Sequence, residues 1–183
     1  MTGPVFHIER IDTPIGETFI VTDAAGALRS IDWSDHAGRL HRRLERQYGP
    51  GLEVSEAEAP SAARRAVEAY FAGELAALDA VRTEAAGTEF QRDVWRALRE
   101  IPLGETTSYG ELARRIGRPK AVRAVGMANG ANPIPVVVPC HRVIGADASL
   151  TGFGGGLDRK RWLLAHEGMD PARWGEAKQA ALF

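Results

Sequence analysis

Apolar and polar positions alternate through the first third of the chain. Phe6, Ile8 and Ile11 precede a Thr13-Pro14-Ile15-Gly16 turn. Thr18, Ile20 and Thr22 then interleave with Phe19 and Val21, and Leu28 to Trp33 follow a turn at Ala24 to Gly26. Period-two spacing bounded by Gly and Pro predicts three short strands of a small sheet. The period then lengthens. Leu40 and Leu44 mark one helix, and Ala62, Ala66, Ala69 and Tyr70 mark a second, with breaks at Gly49-Pro50-Gly51 and Ala59-Pro60.

A boundary falls between Thr83 and Gly87. Thr88 with Gln91 three residues on is a capping-box pattern, and Phe90, Val94, Ala97, Leu98 and Ile101 continue at helical spacing until Pro102 and Gly104. Ser108 with Glu111 predicts a second capping box. Tyr109, Leu112, Ala113 and Ile116 then fall at i, i+3, i+4 and i+7, with Gly117 placed as the residue beyond the C-cap. A further helix is predicted from about Pro119 to Ala131. It buries Ala121, Ala124, Val125 and Ala128 and turns Arg123, Met127 and Gly130 outward, with Gly126 alongside. Two helices joined by a Gly-containing turn read as a helix-turn-helix or as an ordinary helical hairpin. Val136-Val137-Val138, after two prolines, predicts a short buried strand ending near Cys140. The expected fold is therefore a small α/β domain over residues 1–86, a mixed sheet with helices. A mainly α domain over 87–183 follows, containing the helix-turn-helix.

Charge sharpens this division. Residues 1–86 hold 9 Lys/Arg against 14 Asp/Glu, whereas residues 87–183 hold 14 against 10. Over residues 109–135, Arg114, Arg115, Arg118, Lys120 and Arg123 are opposed by Glu111 alone. A basic half in a neutral chain points to an anionic partner on one side, and the pairing of that charge with two short helices favours nucleic acid. The longest strongly apolar run is Ile134 to Val138, too short to span a bilayer, and no basic-then-apolar leader opens the chain. The expectation is a cytoplasmic protein without membrane contact.

The chain has one cysteine, so no internal disulfide forms and a thiolate-rich zinc site is excluded; His7, His36 and His41 are scattered. A lone cysteine is most often a small core residue. Cys140, however, is followed by His141 and Arg142, and thiolate is the reactive form that such neighbours help produce. Adjacency in an extended chain does not by itself bring the two side chains together.

The run Pro139-Cys140-His141-Arg142-Val143 resembles the signature of the O6-alkylguanine-DNA alkyltransferases. The resemblance covers most of Phe90 to Gly168 without gaps. It includes Val94-Trp95, Ser108-Tyr109, Pro119-Lys120-Ala121, Arg123-Ala124-Val125-Gly126, Asn132-Pro133, Gly155-Gly156 and His166-Glu167-Gly168; the first third is similar chiefly at Thr13-Pro14-Ile15-Gly16. It implies that Cys140 accepts the alkyl group, that His141 is its base through a water, and that Glu167 orients His141. Asn132 would brace the turn before the site, and Tyr109 would donate to the departing guanine. Arg123 would hold the place of the flipped nucleotide, with Ser108, Arg118, Lys120, Ala124 and Gly126 as further DNA contacts. The backbones of Val143 and Gly154, with Pro135 and Phe153, would line the guanine pocket. Glu167 also falls at a helix C-terminus, where the dipole disfavours a carboxylate and a cationic partner such as His141 would offset the cost.

Phe153 and Gly154 depart from the family, which often has Tyr followed by Ser or Ala, so the pocket should be roomier and less polar. A sister group carries Trp in place of the cysteine and only senses damage; Cys140 argues against it. Three readings remain: a self-alkylating repair protein acting once, a silent sensor that binds flipped bases, and a multiple-turnover thiol hydrolase. The first needs no cofactor and no metal. Its partner is double-stranded DNA carrying O6-alkylguanine, met by a monomer.

Overall fold

The computed structural model describes residues 4–174, and the Ala-rich tail beyond Trp174, which sequence reads as helical, lies outside them. The chain divides into two compact units. One takes in the chain up to Gly87 together with Pro133–Val137, and the other comprises Thr88–Asn132 and the chain from Val138 onward.

The first unit is a small mixed sheet with helices. Strands β1 (Val5–Ile11), β2 (Thr18–Asp23) and β3 (Leu28–Trp33) are joined antiparallel in sequence, while β4 (Glu53–Glu56) adds parallel to β1, giving the order β3-β2-β1-β4. β2 is central and buried on both faces. Phe6, Phe19 and Val21 pack with Leu40 and Leu44 of α1 (Ala37–Tyr48), and Ile8 joins them from the rim. The exposed strand β4 has a single apolar side chain, Val54, so no alternation announces it. In α2 (Ala62–Phe71) the buried face is Ala63, Val67 and Tyr70. That face is rotated by roughly 80° from the expected alanine stripe, because Val67 and Tyr70 bury far more area than alanine does.

Segment Pro133–Val137 lies against the outer strand β3. Pro133 O accepts from Ile31 N at 2.9 Å and from Ser30 Oγ at 3.0 Å. This edge is thereby paired instead of left open. The strand expected at Val136–Val138 is absent: the run is a buried turn, with Val136 at φ 75°. Prolines at 133, 135 and 139 remove the amide donors a ladder needs, so the valines are buried without forming one. A β-branched residue in the left-handed region is strained, and it persists where its surroundings over-determine it.

The second unit is mainly helical. Thr88 and Gln91 form the expected capping box at α3 (Glu89–Arg99). Trp95 on its buried face donates Nε1–H to Ala128 O at 2.8 Å, tying α3 to α5 (Val122–Gly130). Ser108 caps α4 (Tyr109–Arg115), but Glu111 turns its carboxylate to Arg114 and Arg115. Arg118 N–H to Ala113 O at 2.8 Å and Gly117 N–H to Arg114 O at 2.9 Å close α4 in a Schellman motif, with Gly117 at φ 70°. α5 starts at Val122, three residues later than expected, because Pro119 and Lys120 belong to a turn closed by Ala121 N–H to Arg118 O. Of the face expected to be buried, Val125 and Ala128 are buried and Ala124 is exposed.

Candidate active site around Cys140

The thiol sits in a tight turn, not at a strand end. Cys140 N–H donates to Val138 O at 2.8 Å around Pro139, whose φ −81° and ψ 62° make an inverse γ-turn, and Cys140–Arg142 continue as one 3-10 turn. Asn132 Nδ2 donates to Val138 O at 2.8 Å and braces the same carbonyl from the other side. The chain then enters β6 (Val143–Ile144), which pairs parallel with β5 (Thr107–Ser108). That pairing sets the first turn of α4, and with it Tyr109, beside the strand that leaves the thiol. Cys140 and His141 are both buried.

Glu167 is held by the end of α6 (Leu157–His166). It is the C-cap of a second Schellman motif: Gly168 N–H bonds Ala165 O and Met169 N–H bonds Leu164 O, each at 3.0 Å, with Gly168 at φ 88°. Met169 and Leu164 pack in one cluster with Ile144, Leu150 and Trp174, so the motif is anchored by apolar contact. Fixed this way, Glu167 Oε1 accepts His141 Nε2–H at 2.8 Å. Arg142 grips the same carboxylate as a fork, Nε to Oε2 at 2.8 Å and Nη2 to Oε1 at 2.9 Å, and its Nη1 donates to Ile101 O at 2.7 Å.

Charge follows geometry. Burial alone would raise the Glu167 pKa, but the charges and hydrogen bonds of His141 and Arg142 overcome it and bring the group down to about 2. Burial lowers the His141 pKa, and the pull of Glu167 only partly opposes it. The positive partner that offsets a carboxylate at a helix C-terminus is therefore Arg142, not His141. A neutral imidazole that gives its Nε2–H to Glu167 keeps a lone pair on Nδ1, and that atom is buried with no hydrogen-bond partner among the described residues.

A fully buried cation also stands among these residues. Lys160, on the inner face of α6, is fully buried and donates Nζ–H to Val143 O at 2.6 Å and to Thr151 O at 2.9 Å. Burial pulls its pKa down to about 8, while the charge interaction with Cys140 works the other way. Tyr109 OH and Thr151 Oγ1 are 2.9 Å apart. Burial raises the Tyr109 pKa, the Thr151 hydrogen bond lowers it, and Cys140 raises it again. Electrostatically, then, Cys140 is coupled to both Lys160 and Tyr109.

The remaining candidates divide by position. Gly126 faces the Tyr109 ring, where a Cβ would come within 3.7 Å of its edge. Phe153 meets the His141 ring edge-on at 6.5 Å between centroids, and Gly154 is exposed. Pro135 is buried in the segment that belongs to the first unit. Arg118, Lys120 and Arg123 are exposed, and their side chains form no ion pair or hydrogen bond among the described residues. Met127, four residues after Arg123, is 67% exposed.

A family model described as 6-O-methylguanine DNA methyltransferase, DNA binding domain, matches residues 89–169. The methylated-DNA–protein-cysteine methyltransferase of Salmonella typhimurium is 50% identical over 161 residues, 87% of this chain and 94% of that protein. The chain belongs to the methylated-DNA–protein-cysteine methyltransferase family. A second relative of that name, from Mycolicibacterium paratuberculosis, is 58% identical across 69% of this chain and 77% of its own length. The crystal structure of Mycobacterium tuberculosis OGT in complex with DNA superposes with a TM-score of 0.73 at 41% identity, covering 94% of this chain and 96% of that one.

Every residue that the resemblance singled out, from Ser108 to Glu167, falls inside the stretch matched by the methyltransferase DNA-binding domain. Three groups at the site escape the sequence reading. Arg142 lies inside the signature and is read from sequence only as a neighbour that favours thiolate, so its grip on Glu167 goes unseen. Lys160 stands at i, i+3 and i+4 to the buried Leu163 and Leu164, which is the signal that puts a lysine on the inner face. Thr151 carries no pattern in a loop that is otherwise mostly small residues.

Proposed function

We propose that this chain repairs alkylated DNA by a single irreversible transfer of a methyl or larger alkyl group from guanine O6 to Cys140. The observation that carries the reading is the His141–Glu167–Arg142 chain beside the chain's only cysteine. It holds a neutral imidazole in one tautomer with Nδ1 as the available base. In this reading the Cys140 proton passes to His141 Nδ1 through a water, and the buried Lys160 ammonium favours the resulting thiolate. Sulfur attacks the alkyl carbon in line as the bond from carbon to O6 breaks. The electron pair leaves on the guanine, which gains a hydrogen bond from Tyr109 and ends with the proton lost by the thiol. A thioether forms, so each molecule acts once and no cofactor is called for.

The alkylated base has to leave the duplex before that attack. Helices α4 and α5 are read as a helix-turn-helix whose exposed Arg123 fills the gap, while Ser108, Arg118, Lys120, Ala124 and Gly126 contribute phosphate and groove contacts. The backbones of Val143 and Gly154 would bond the guanine edge beside Phe153. Lys160 already occupies one lone pair of Val143 O and leaves the other. We read the protein as a cytoplasmic monomer whose units are a small α/β domain and this DNA-binding domain. No helix among the described residues is long and apolar enough to cross a membrane.

Mass spectrometry after incubation with an O6-methylguanine duplex tests the reading. One methyl on the Cys140 peptide at a one-to-one endpoint is expected. Unmodified protein with demethylated DNA in excess would mean a hydrolase. Unmodified protein that still binds the duplex would mean a sensor.

A further inference from the structure

Among the described residues, the phenol of Tyr109 and the hydroxyl of Thr151 have only each other as side-chain partners, at 2.9 Å. Either oxygen is the donor in the resting pair. That symmetry ends when a guanine enters. A phenol has one proton; if it goes to the leaving base, the hydrogen bond inside the pair survives only with Thr151 O–H donating to the phenolic oxygen. Thr151 is able to do this because its place is set from the backbone: its carbonyl is gripped by the fully buried Lys160, which also holds Val143 O at the exit of the thiol turn.

We propose that Thr151 is a positioning residue for the alkyl transfer, its hydroxyl donating to Tyr109 so that the phenol's own proton faces the leaving guanine. The inference rests on the reading of Cys140 as acceptor and Tyr109 as donor. The chain Thr151 O–H to Tyr109 O–H to guanine is cooperative, since each donor polarises the next. It also answers an electrostatic difficulty. Tyr109 is half-buried, and that partial burial together with negative charge on Cys140 opposes negative charge on its oxygen; the Thr151 hydrogen bond is the one influence that favours such charge. Proton density drawn toward the base therefore leaves a phenolic oxygen that needs this donor. No atom changes hands through Thr151, whose hydroxyl keeps its proton throughout.

The test compares Thr151→Val, which keeps the shape and removes the hydroxyl, with Thr151→Ser, which keeps the hydroxyl. Single-turnover transfer from an O6-methylguanine duplex should fall about 5- to 10-fold in Thr151→Val, the scale of one hydrogen bond, and return to within about twofold of the parent in Thr151→Ser. Duplex affinity should be the same in all three. In a Tyr109→Phe background, Thr151→Val should cost nothing further, because the phenol through which it acts is gone. With ζ-carbon-13 tyrosine, the Tyr109 signal should titrate at higher pH in Thr151→Val than in the parent. Equal slowing by Val and Ser, the same loss with or without the phenol, or an unmoved Tyr109 titration would overturn the proposal. If the parent gains no alkyl group on Cys140, the underlying repair reading fails first, and the mass spectrum shows which has happened.

Discussion

Two sets of cations share the helical unit and live by opposite rules. Lys160 is fully buried and the Arg142 side chain largely so, and both are engaged inside the fold: Arg142 grips Glu167 and Ile101 O, and Lys160 grips two backbone carbonyls. Arg118, Lys120 and Arg123 are exposed and make no ion pair among the described residues. A buried charge is tolerated where hydrogen bonds or a counter-charge meet it, so it fixes geometry and local potential. An exposed charge without a partner costs little to keep and waits for an anion from outside. Under the proposed function the first set serves the chemistry and the second the duplex, and each of the following outcomes would break or sharpen that division.

The largest effect belongs to the thiol of Cys140. Cys140→Ser should abolish transfer while leaving duplex affinity within about twofold, since no exposed cation is touched. Gel-shift titration beside the mass spectrum checks both halves. An alkyl group found on another residue would remove the reason for the buried set altogether.

Next come the two residues proposed to activate the thiol. His141→Ala and Glu167→Gln should slow transfer by about 100- to 10,000-fold, the usual range for a general base and its orientation. Glu167→Gln should also destabilise the fold, because the Arg142 guanidinium stays buried after its counter-charge has gone. The acid limb follows from the carboxylate. With the folded pKa at about 2 and the unfolded value near 4.5, its stabilisation is complete above pH 4.5 and is lost as pH falls toward 2. A thermal-melting profile of Glu167→Gln that parallels the parent between those values would contradict the pairing.

How much of this was legible beforehand depends on what kind of signal each part carries. β1, β2 and β3 announce themselves through alternation and turn residues. β4 does not, because Glu53–Glu56 pairs through backbone alone and shows no apolar stripe. The valines before Cys140 misled, since a short apolar run says that a segment is buried without saying that it is extended. At the site, the signature singled out His141 and Glu167, which the fold brings to 2.8 Å. The buried cations were hidden by habit: lysine and arginine are ordinarily solvated, and only three-dimensional closure reveals where their donors go. Glu167 shows the reverse error. Its helix-end position was legible and correctly called for a cation, yet burial keeps His141 neutral and hands that task to Arg142.

Lys160 gives the third effect. Its pKa of about 8 lies within reach of a rate profile. Transfer should rise with thiol ionisation and then bend downward above about pH 8 as the ammonium loses its proton and the thiolate its support. Lys160→Met should lose that bend. At neutral pH it should transfer about tenfold more slowly, one pKa unit of thiolate stabilisation. Iodoacetamide labelling against pH reads the thiol directly, and an unshifted labelling curve would show that Lys160 only ties the two carbonyls.

The smallest effects separate the two sets most cleanly, because they are read as slopes. Exposed cations that neutralise phosphates release counterions, so the logarithm of duplex affinity should fall linearly with the logarithm of salt. Arg118→Ala and Lys120→Ala should each weaken binding only a few-fold and flatten the slope by about 1, without preference for sequence. Arg123→Ala should flatten it no more than these, yet should slow repair of duplex about tenfold while sparing transfer from free O6-alkylguanine, since only the duplex has a gap to fill. Lys160→Met should leave the slope unchanged, because a charge already closed inside the fold has no counterion to release. If removing Lys160 changes the slope as much as removing Lys120 does, burial does not separate the two sets. If neither Arg118→Ala nor Lys120→Ala changes it, the exposed cations meet no phosphate, and the duplex is held by another face.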